Sequence, residues 1–416
     1  MEQTITDLTA TITALNNAVV ENNKNLANAQ WSKWQEKDSK PNLMFGEIVL
    51  PGDAKDTRWY DNAASGVGDS AANPYKISTC AELYGLAALV NRADNPVTFE
   101  NKYIQLQESI VINENWTAGA TAPTNCNQWT AIGSSSNPFK GRFDGNNETI
   151  SGIYLNTDSQ NTGLFGYTRG NVEVKNLTLT NCYFKSSQTY LGAIIGYGEG
   201  ILENIYITKT VTLNSTAGNV GGFIGYVKGS SNPNTKLEIE SCWFDGKIIS
   251  SANNVGGFAG YICGGGATNN SIKHSLFSGE IDASAGGSTI GGFVGRSNGN
   301  TGKITITDSL SAGKITASAT ATKVGAIAGQ GGNGNGTQQS TIIDATVYAT
   351  SDYCTYAIGD NKGYSGTLNA LVPEANIKGE SAKTNTGVPN LLYDTEWKTK
   401  TNFVPVPILF KDVVVD

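Results

Sequence analysis

A hexapeptide of glycine and large apolar residues returns along the chain at intervals of 29 to 35 residues. Its copies are TGLFGY at 162, GAIIGY at 192, GGFIGY at 221, GGFAGY at 256, GGFVGR at 291 and GAIAGQ at 325. The third position is always large and apolar: Leu164, Ile194, Phe223, Phe258, Phe293 and Ile327. A repeat of about 20 to 50 residues is typical of solenoids, so we expect these side chains to stack inside successive coils.

The segments between the hexapeptides predict strands. Each polar loop leads into a β-rich segment such as VEVKNLTLTNCYF, LEIESCWFDGKII or ITITDSLSAGKI, and no helical period of apolar residues separates these segments. Such strands must pair coil upon coil, so the sequence predicts an all-β protein, a right-handed parallel β-helix. The glycines beside the third position suit a tight corner, where a Cβ atom would clash or φ must be positive.

A second set of positions supports the stacking. The phrases DGKI, SGEI and AGKI place isoleucines inward, with charged residues beside them: Ile248, Ile281 and Ile315, with Lys247, Glu280 and Lys314. We therefore expect a ladder of alternating charge on an outer face.

The first thirty residues predict a coiled coil. Apolar residues alternate at three- and four-residue spacings, and Asn22 fills the remaining core position: Ile5, Leu8, Ile12, Leu15, Val19 and Leu26. Segment 1–30 would then join a homodimer or a homotrimer. The alternative is a single amphipathic helix packed on its own domain. Residues 31–75 mix aromatic residues with chain breakers and are interpreted as a linker.

A capping helix is predicted over residues 78–92, because Thr79 and Glu82 have capping-box spacing and apolar residues share one helical face. This helix would seal the open end of a β-solenoid that spans 76–390, with its repeats at 162–350. Residues 391–416 are rich in Val and Pro and are expected to close the far end as a C-terminal cap.

Composition and charge exclude some classes of protein. The net charge is −7 and no basic cluster is interleaved with aromatic residues, so a nucleic-acid partner is not expected. The chain has no run of eighteen apolar residues and its N-terminus lacks the pattern of a signal peptide. We expect no transmembrane segment and a location outside the cell or on its surface, or alternatively in a virion.

No metal site and no cofactor are predicted. The cysteines are scattered, form no CxxC pair and have no clustered histidines beside them. Cys182 in NCYF and Cys242 in SCWF are interpreted as lying in one register two coils apart. That separation is about 9.6 Å, too far for a disulfide.

No catalytic residue is predicted. Glycoside hydrolysis needs two carboxylates about 5 to 10 Å apart across one sugar ring. The candidate aspartates recur in no common register: Asp144, Asp245, Asp282, Asp308 and Asp344. His274 is the only histidine, corresponds to Ser241 and Asp308 in neighbouring repeats, and is expected to lie outward on the surface.

The candidate ligand-binding residues are tyrosines at the sixth hexapeptide position: Tyr167, Tyr197, Tyr226 and Tyr261. A stack of aromatic rings can bind sugars through its apolar faces, or it can simply stabilise the coils as a structural ladder. The polar loops after the hexapeptides form one face of the array, which is either a second binding side or a row of solvated turns.

The chain also resembles a known kind of region. The phrases NPYKISTCAELYGLAALVN and WTAIGSSSNPFKGRFDGNNETISGIYLN precede the GGFxGY repeats, and together they cover roughly residues 72–350. In this order they resemble the GLUG-motif β-helix region of bacterial surface and adhesin proteins, such as those of gut Bacteroidetes. The resemblance implies a surface or adhesive module. Arg296 and Gln330 depart from the pattern, because they replace its tyrosine.

These features predict a non-enzymatic, surface-exposed binding or adhesion protein that recognises glycans or a host surface. The expected partner is a glycan or protein on a host or bacterial surface. Two alternatives remain open at this stage: a bacteriophage tail-fibre or receptor-binding subunit, and a polysaccharide lyase or glycoside hydrolase built on a β-helix.

Overall fold

The computed structural model describes most of the chain after residue 53. The described residues are 54–114, 116, 126–228, 236–263, 270–298, 302–332, 341–343, 346–360, 364–366, 371–384, 387–391 and 393–415. The predicted coiled coil at 1–30 and residues 31–53 of the predicted linker lie outside these residues.

The described strands form the walls of a parallel β-helix, as predicted, and each regular coil crosses four sheets in turn. Sheet I contains strands Tyr75–Ile77, Tyr103–Leu106, Ile110–Val111, Arg142–Asp144, Thr149–Ser151, Glu173–Thr180, Gly200–Ile207, Leu237–Glu240, Trp243–Phe244, Asn270–Lys273, Leu276–Phe277, Ile304–Thr307, Leu310–Ser311, Thr341–Ile343, Tyr348–Ala349 and Tyr364–Gly366. Sheet II contains Tyr154–Thr157, Tyr183–Ser186, Thr212–Ser215, Lys247–Ser250, Glu280–Ala283 and Lys314–Ala317. Sheet III contains Leu191–Gly192, Val220–Gly221, Val255–Gly256, Thr289–Gly291 and Lys323–Gly325. Sheet IV contains Phe165–Tyr167, Ile195–Gly198, Ile224–Lys228, Ala259–Cys263, Val294–Ser297, Ala328–Gln330 and Ile358–Asp360.

The hexapeptides set the register of the coils. Tyr197 pairs with Tyr167 on one side and with Tyr226 on the other, and the third-position side chains are at most 1% exposed. The array continues one coil beyond the predicted repeats, because Ile358 pairs with Ala328. Sequence inspection missed this coil since its motif is reduced to Ala357, Ile358 and Gly359.

Close approach of neighbouring coils explains why several copies of the hexapeptide carry glycine at the second position, where two copies have alanine (Ala193 and Ala326). A Cβ atom on Gly222 would lie 2.0 Å from the carbonyl oxygen of Gly257, and one on Gly257 would lie 2.2 Å from that of Gly292. Neither Gly222 nor Gly257 has a positive φ. Of the two predicted reasons for these glycines, the steric one therefore applies.

The N-terminal end is closed by two helices, α1 (Arg58–Asp61) and α2 (Cys80–Asn91). Helix α2 begins at the predicted capping box of Thr79 and Glu82. Residues 54–75 belong to this end rather than to a linker, because Trp59 stacks on Phe99 with ring centroids 5.9 Å apart. Aromatic side chains without a sustained period gave no sequence signal for this packing.

The C-terminal residues 371–415, here called the C-terminal strap, correct the prediction of a cap on the far end. The strap contains the antiparallel strands Trp397–Lys400 and Phe403–Pro407 and the short 3-10 helices Glu374–Asn376, Gly379–Lys383 and Ile408–Phe410. It packs along the side of the β-helix, on an outward column of sheet I: Tyr206, Trp243, Leu276, Leu310 and Tyr348. Such a column would otherwise expose a large apolar patch to water.

The charge ladder on sheet II is confirmed. The Lys247 ammonium lies 3.2 Å from the Glu280 carboxylate, which is also 3.7 Å from Lys314. The neighbouring Ile248, Ile281 and Ile315 are buried. Such exposed pairs contribute little to stability, about 1 kcal/mol at most.

The predicted common register of two cysteines is wrong. Tyr206 pairs with Trp243, so Cys242 lies level with Ile205, whereas Tyr183 pairs with Thr212 and places Cys182 level with Val211. Both cysteines are buried and free, and burial raises the pKa of Cys182 to about 12. The similar sequences NCYF and SCWF lie at different corners of the coil. Local sequence similarity cannot distinguish one corner from another.

Candidate binding surface

The predicted tyrosines form a continuous ladder on the outer side of sheet IV. Tyr167 and Tyr197 stack with centroids 4.7 Å apart, and Tyr197 and Tyr226 stack at 5.0 Å with their planes only 6° apart. Tyr261 follows at 5.2 Å but is turned by 89°. All four side chains are partly exposed. The structure therefore brings every predicted site residue together.

Tyr190 joins this ladder from the preceding corner, and sequence reasoning missed it. Its ring packs against Tyr197 at 5.0 Å and against Tyr226 at 4.8 Å. Its φ is +74°, a left-handed conformation that a bulky residue rarely adopts. The equivalent corners of other coils carry Asn161, Asn219 and Asn254, also with positive φ. The signal in the sequence was a tyrosine two residues before Gly192, the first glycine of GAIIGY. Asparagine stands two residues before the first glycine in NTG at 161 and in NVGG at 219.

The C-terminal end of the ladder becomes charged. The Arg296 guanidinium lies over the Tyr261 ring, 5.0 Å from its centroid, and Arg296 pairs with Gln330 in the next coil. Lys323 then bridges Gln330 at 3.0 Å and Asp360 at 3.2 Å. We call Tyr167, Tyr190, Tyr197, Tyr226 and Tyr261, with Arg296, the tyrosine patch.

Stacking determines what the tyrosine patch can offer to a ligand. Both faces of Tyr197 are taken by its neighbours, and one face of Tyr261 is covered by Arg296. Burial raises the pKa of all four ladder tyrosines, so their hydroxyl groups stay protonated at neutral pH. The patch therefore presents ring edges and neutral hydroxyl groups, which suit hydrogen bonding at a polar surface.

A buried carboxyl group lies beside the ladder. Glu199 is 5% exposed, and its carboxylate accepts a hydrogen bond from the Gly170 N–H at 3.1 Å. Burial raises the pKa of Glu199 despite this bond and the nearby Arg169. The corner thus holds a carboxyl group that is costly to ionise.

Replacing Glu199 by glutamine is expected to raise stability at neutral pH. Glu199 keeps its proton to a higher pH in the folded state than in the unfolded one, so its contribution to stability is lost as pH rises through those two pKa values. Below the ordinary glutamate pKa both states are protonated and the advantage should vanish. Urea unfolding of parent and variant at pH 4 and pH 7.5 tests this. An equal difference at both pH values would contradict it.

His274 is buried, which contradicts its predicted position on the surface. Its Nε2 lies 3.0 Å from the Asp308 carboxylate, which also accepts a hydrogen bond from the Trp397 indole at 3.1 Å. Its Nδ1 faces Glu240 and Glu396, each at 3.6 Å. The strap supplies Trp397 and Glu396, so only the tertiary structure encloses this histidine. A substrate could reach His274 and Asp308 only if the C-terminal strap moved.

The predicted aspartates that the structure describes are engaged separately. Asp144 accepts a hydrogen bond from the Asn176 amide at 2.9 Å, and Asp245 accepts one from the Ser278 hydroxyl at 2.6 Å. Burial raises the pKa of Asp245, whereas hydrogen bonds from Ser284 lower that of Asp282. Asp344 and most of the polar loops after the later hexapeptides lie outside the described residues.

Across the described part of the chain, no group of three His, Cys, Asp or Glu side chains is arranged to hold a metal ion. Within the same residues, no helix combines the length and apolarity needed to cross a bilayer.

The fold and the patch together define a parallel β-helix with an aromatic outer surface. A solved structure described as "a putative immunoglobulin A1 protease from Bacteroides ovatus" shares this fold, with a TM-score of 0.54. The match covers 82% of this chain and 94% of that one at 16% identity, so the likeness concerns the fold alone.

Two curated proteins match parts of the sequence, and no family model matches it. A "Putative Gly-rich membrane protein" of Evansella cellulosilytica is 30% identical over 138 residues, which are 32% of this chain and 14% of that protein. Halomucin of Haloquadratum walsbyi is 29% identical over 158 residues, 37% of this chain and 2% of that protein. The chain therefore spans a small part of either relative.

Proposed function

We propose that this chain is a non-catalytic binding module of a surface-exposed protein, and that it recognises glycans or proteins on another surface. The observation that carries the proposal is the tyrosine patch: five tyrosines and an arginine that lie side by side, partly exposed, on the outside of the β-helix. Tyrosine and arginine are enriched where proteins bind partners, because they combine large contact area with directional hydrogen bonds.

The backbone at Tyr190 supports a binding role for the patch. A left-handed conformation costs a non-glycine residue of the order of 1–3 kcal/mol, and such strain often marks functional sites. Asparagine tolerates this conformation and occupies the corresponding corners. A structural ladder alone would not need a strained tyrosine in place of asparagine.

The comparisons are compatible with a surface location. One relative is named as a Gly-rich membrane protein and the other as halomucin. The proposal that this chain itself lacks chemistry draws support from His274 and Asp308, which are enclosed by the C-terminal strap. The separately engaged aspartates favour the same conclusion over a lyase or hydrolase.

Glycan-array screening of the purified protein tests the proposal, together with an assay for reducing-end or unsaturated-sugar release. We expect saturable binding without release of product. Steady release of product would show an enzyme instead. A protein that bound neither glycans nor cell-surface proteins would contradict the proposal as a whole.

Replacing Tyr190 by asparagine is expected to weaken partner binding about tenfold or more while the fold is retained. The variant restores the residue found at Asn219 and relieves backbone strain, but it removes the ring that contacts Tyr197 and Tyr226. Binding to the best array ligand and thermal unfolding are measured side by side. Tyr190→Phe is the matched control, because it keeps the ring and loses only the hydroxyl. Unchanged binding by Tyr190→Asn would show that the tyrosine patch is not the binding site.

A further inference from the structure

A column of side chains on the outer face of sheet II changes abruptly in size between two coils. Tyr154 pairs with Tyr183, Tyr183 with Thr212, and Thr212 with Lys247. These four residues are partly exposed. Two aromatic rings in the column are therefore followed by a short threonine side chain, and the next side chain is a long lysine. We call this gap the Tyr183 step.

The aromatic stack at the step is open on one side. Tyr154 and Tyr183 stack with centroids 5.9 Å apart and planes 13° apart, and Trp116 packs edge-on against Tyr154 at 5.5 Å. Among the residues that the structure describes, no aromatic ring or cation other than Tyr154 packs on Tyr183. The second face of Tyr183 is therefore directed toward the coil of Thr212. This arrangement differs from the tyrosine patch, where the stacked rings cover one another.

Polar groups surround the open face. The Asn214 amide donates a hydrogen bond to the Tyr183 hydroxyl at 3.3 Å, and an amide has a second N–H donor and a carbonyl acceptor besides. Thr212, which carries a hydroxyl group and is partly exposed, pairs with Tyr183 in the adjacent coil. Beyond it, the charge of Lys247 is compensated by Glu280 at 3.2 Å. The step thus offers an apolar face, an amide and a hydroxyl, with the exposed Lys185 next to Asn214 on the same outer face.

The dimensions fit one saturated six-membered ring. Positions two coils apart, such as Tyr183 and Lys247, are separated by about 9.6 Å at the usual strand spacing. A ring in van der Waals contact with Tyr183 needs about 4 Å of that distance. The remainder accommodates its outer hydroxyl groups.

We propose that the Tyr183 step is a subsite for one pyranose ring of a glycan. The C–H face of the sugar stacks on Tyr183, and its hydroxyl groups bond to Asn214 and Thr212. An aromatic platform with a few convergent polar groups is the general composition of small-ligand sites. This inference rests on the proposed binding function and names one ligand class and its place.

Filling the step tests the inference. Thr212→Tyr adds a third ring to the column and covers the open face of Tyr183, whereas Thr212→Ser keeps the step open. Saturation-transfer NMR with methyl β-D-glucopyranoside, methyl β-D-galactopyranoside and methyl α-D-mannopyranoside measures binding at millimolar concentrations. We expect the parent and Thr212→Ser to bind at least one pyranoside, with strongest transfer to protons on one C–H face. Thr212→Tyr and Tyr183→Ala should each bind it about tenfold more weakly.

The outcomes separate this inference from the proposed function. Thr212→Tyr is expected to fold because stacked tyrosines already occur in this column, and circular dichroism checks its folding. If Thr212→Tyr does not fold, Tyr183→Ala tests the same inference. Equal pyranoside binding by parent, Thr212→Tyr and Tyr183→Ala would overturn the Tyr183 step. If binding of the array glycans were still weakened by Tyr190→Asn, the proposed function would stand without the Tyr183 step. A parent protein that bound no pyranoside and no array glycan would overturn the step and the glycan branch of the proposed function together.

Discussion

Gly257→Ala is expected to destabilise the β-helix by about 3 kcal/mol or more, a large effect for one methyl group. The new Cβ would lie 2.2 Å from the carbonyl oxygen of Gly292 and 2.6 Å from the Phe277 ring. The first of these atoms belongs to the backbone of the next coil, which is fixed by its own ladder of hydrogen bonds. A side-chain rotation therefore cannot relieve the clash.

Urea unfolding followed by far-UV circular dichroism measures this effect, and Gly218→Ala is the matched control. A Cβ on Gly218 would meet its nearest atom, the Asn253 carbonyl oxygen, at 3.8 Å, and its φ is not positive. That substitution should change the free energy of unfolding by no more than about 0.5 kcal/mol. Similar midpoints for the two variants would show that neighbouring coils can separate, contrary to the packing seen here.

Trp397→Ala is expected to detach the C-terminal strap from the side of the β-helix. The indole is fully buried and donates a hydrogen bond to Asp308 at 3.1 Å. Removing a buried tryptophan costs about 3–5 kcal/mol. The loss also takes the indole donor from a buried carboxylate, whose other oxygen, Oδ1, has no hydrogen-bond partner in the structure.

Limited proteolysis with mass spectrometry measures detachment, together with binding of a fluorescent apolar dye to the uncovered column of Tyr206, Trp243 and Leu276. Cleavage within 371–415 should become much faster in Trp397→Ala, while the coils resist. Trp397→Phe keeps most of the apolar contact and loses the indole donor, so an intermediate effect of about 1–3 kcal/mol is expected. Unchanged cleavage in both variants would show that other contacts hold the strap.

The interior of the coils could be predicted because it repeats. Each inward position, such as Phe223, Phe258 and Phe293, meets its own counterpart one coil away, so one period of sequence describes the packing of the next. The tyrosine patch followed from the same regularity. Tyr190 escaped prediction because it breaks the pattern of asparagines at its corner, and its contacts cross from one sheet to the next.

The lateral packing could not be predicted in this way. The strap contacts residues as far as about two hundred positions earlier in the chain, as when Phe410 packs on Tyr206 at 5.7 Å. Neither partner carries a local signal for the other. The same reason explains His274, whose register with Ser241 and Asp308 was visible although its enclosure by Glu396 and Trp397 was not.

The sequence by itself determined the period of the coils, the side chains that point inward and the column of tyrosines, because these depend on alternation along a strand and on repetition between neighbours. Only the tertiary structure decided where the C-terminal strap lies, that it covers His274, which tyrosine faces remain open, and that Cys182 and Cys242 lie at different corners. These features depend on contacts between distant segments and on shifts of one or two residues at corners. The pattern of residues along the chain carries no signal for such contacts or for such shifts.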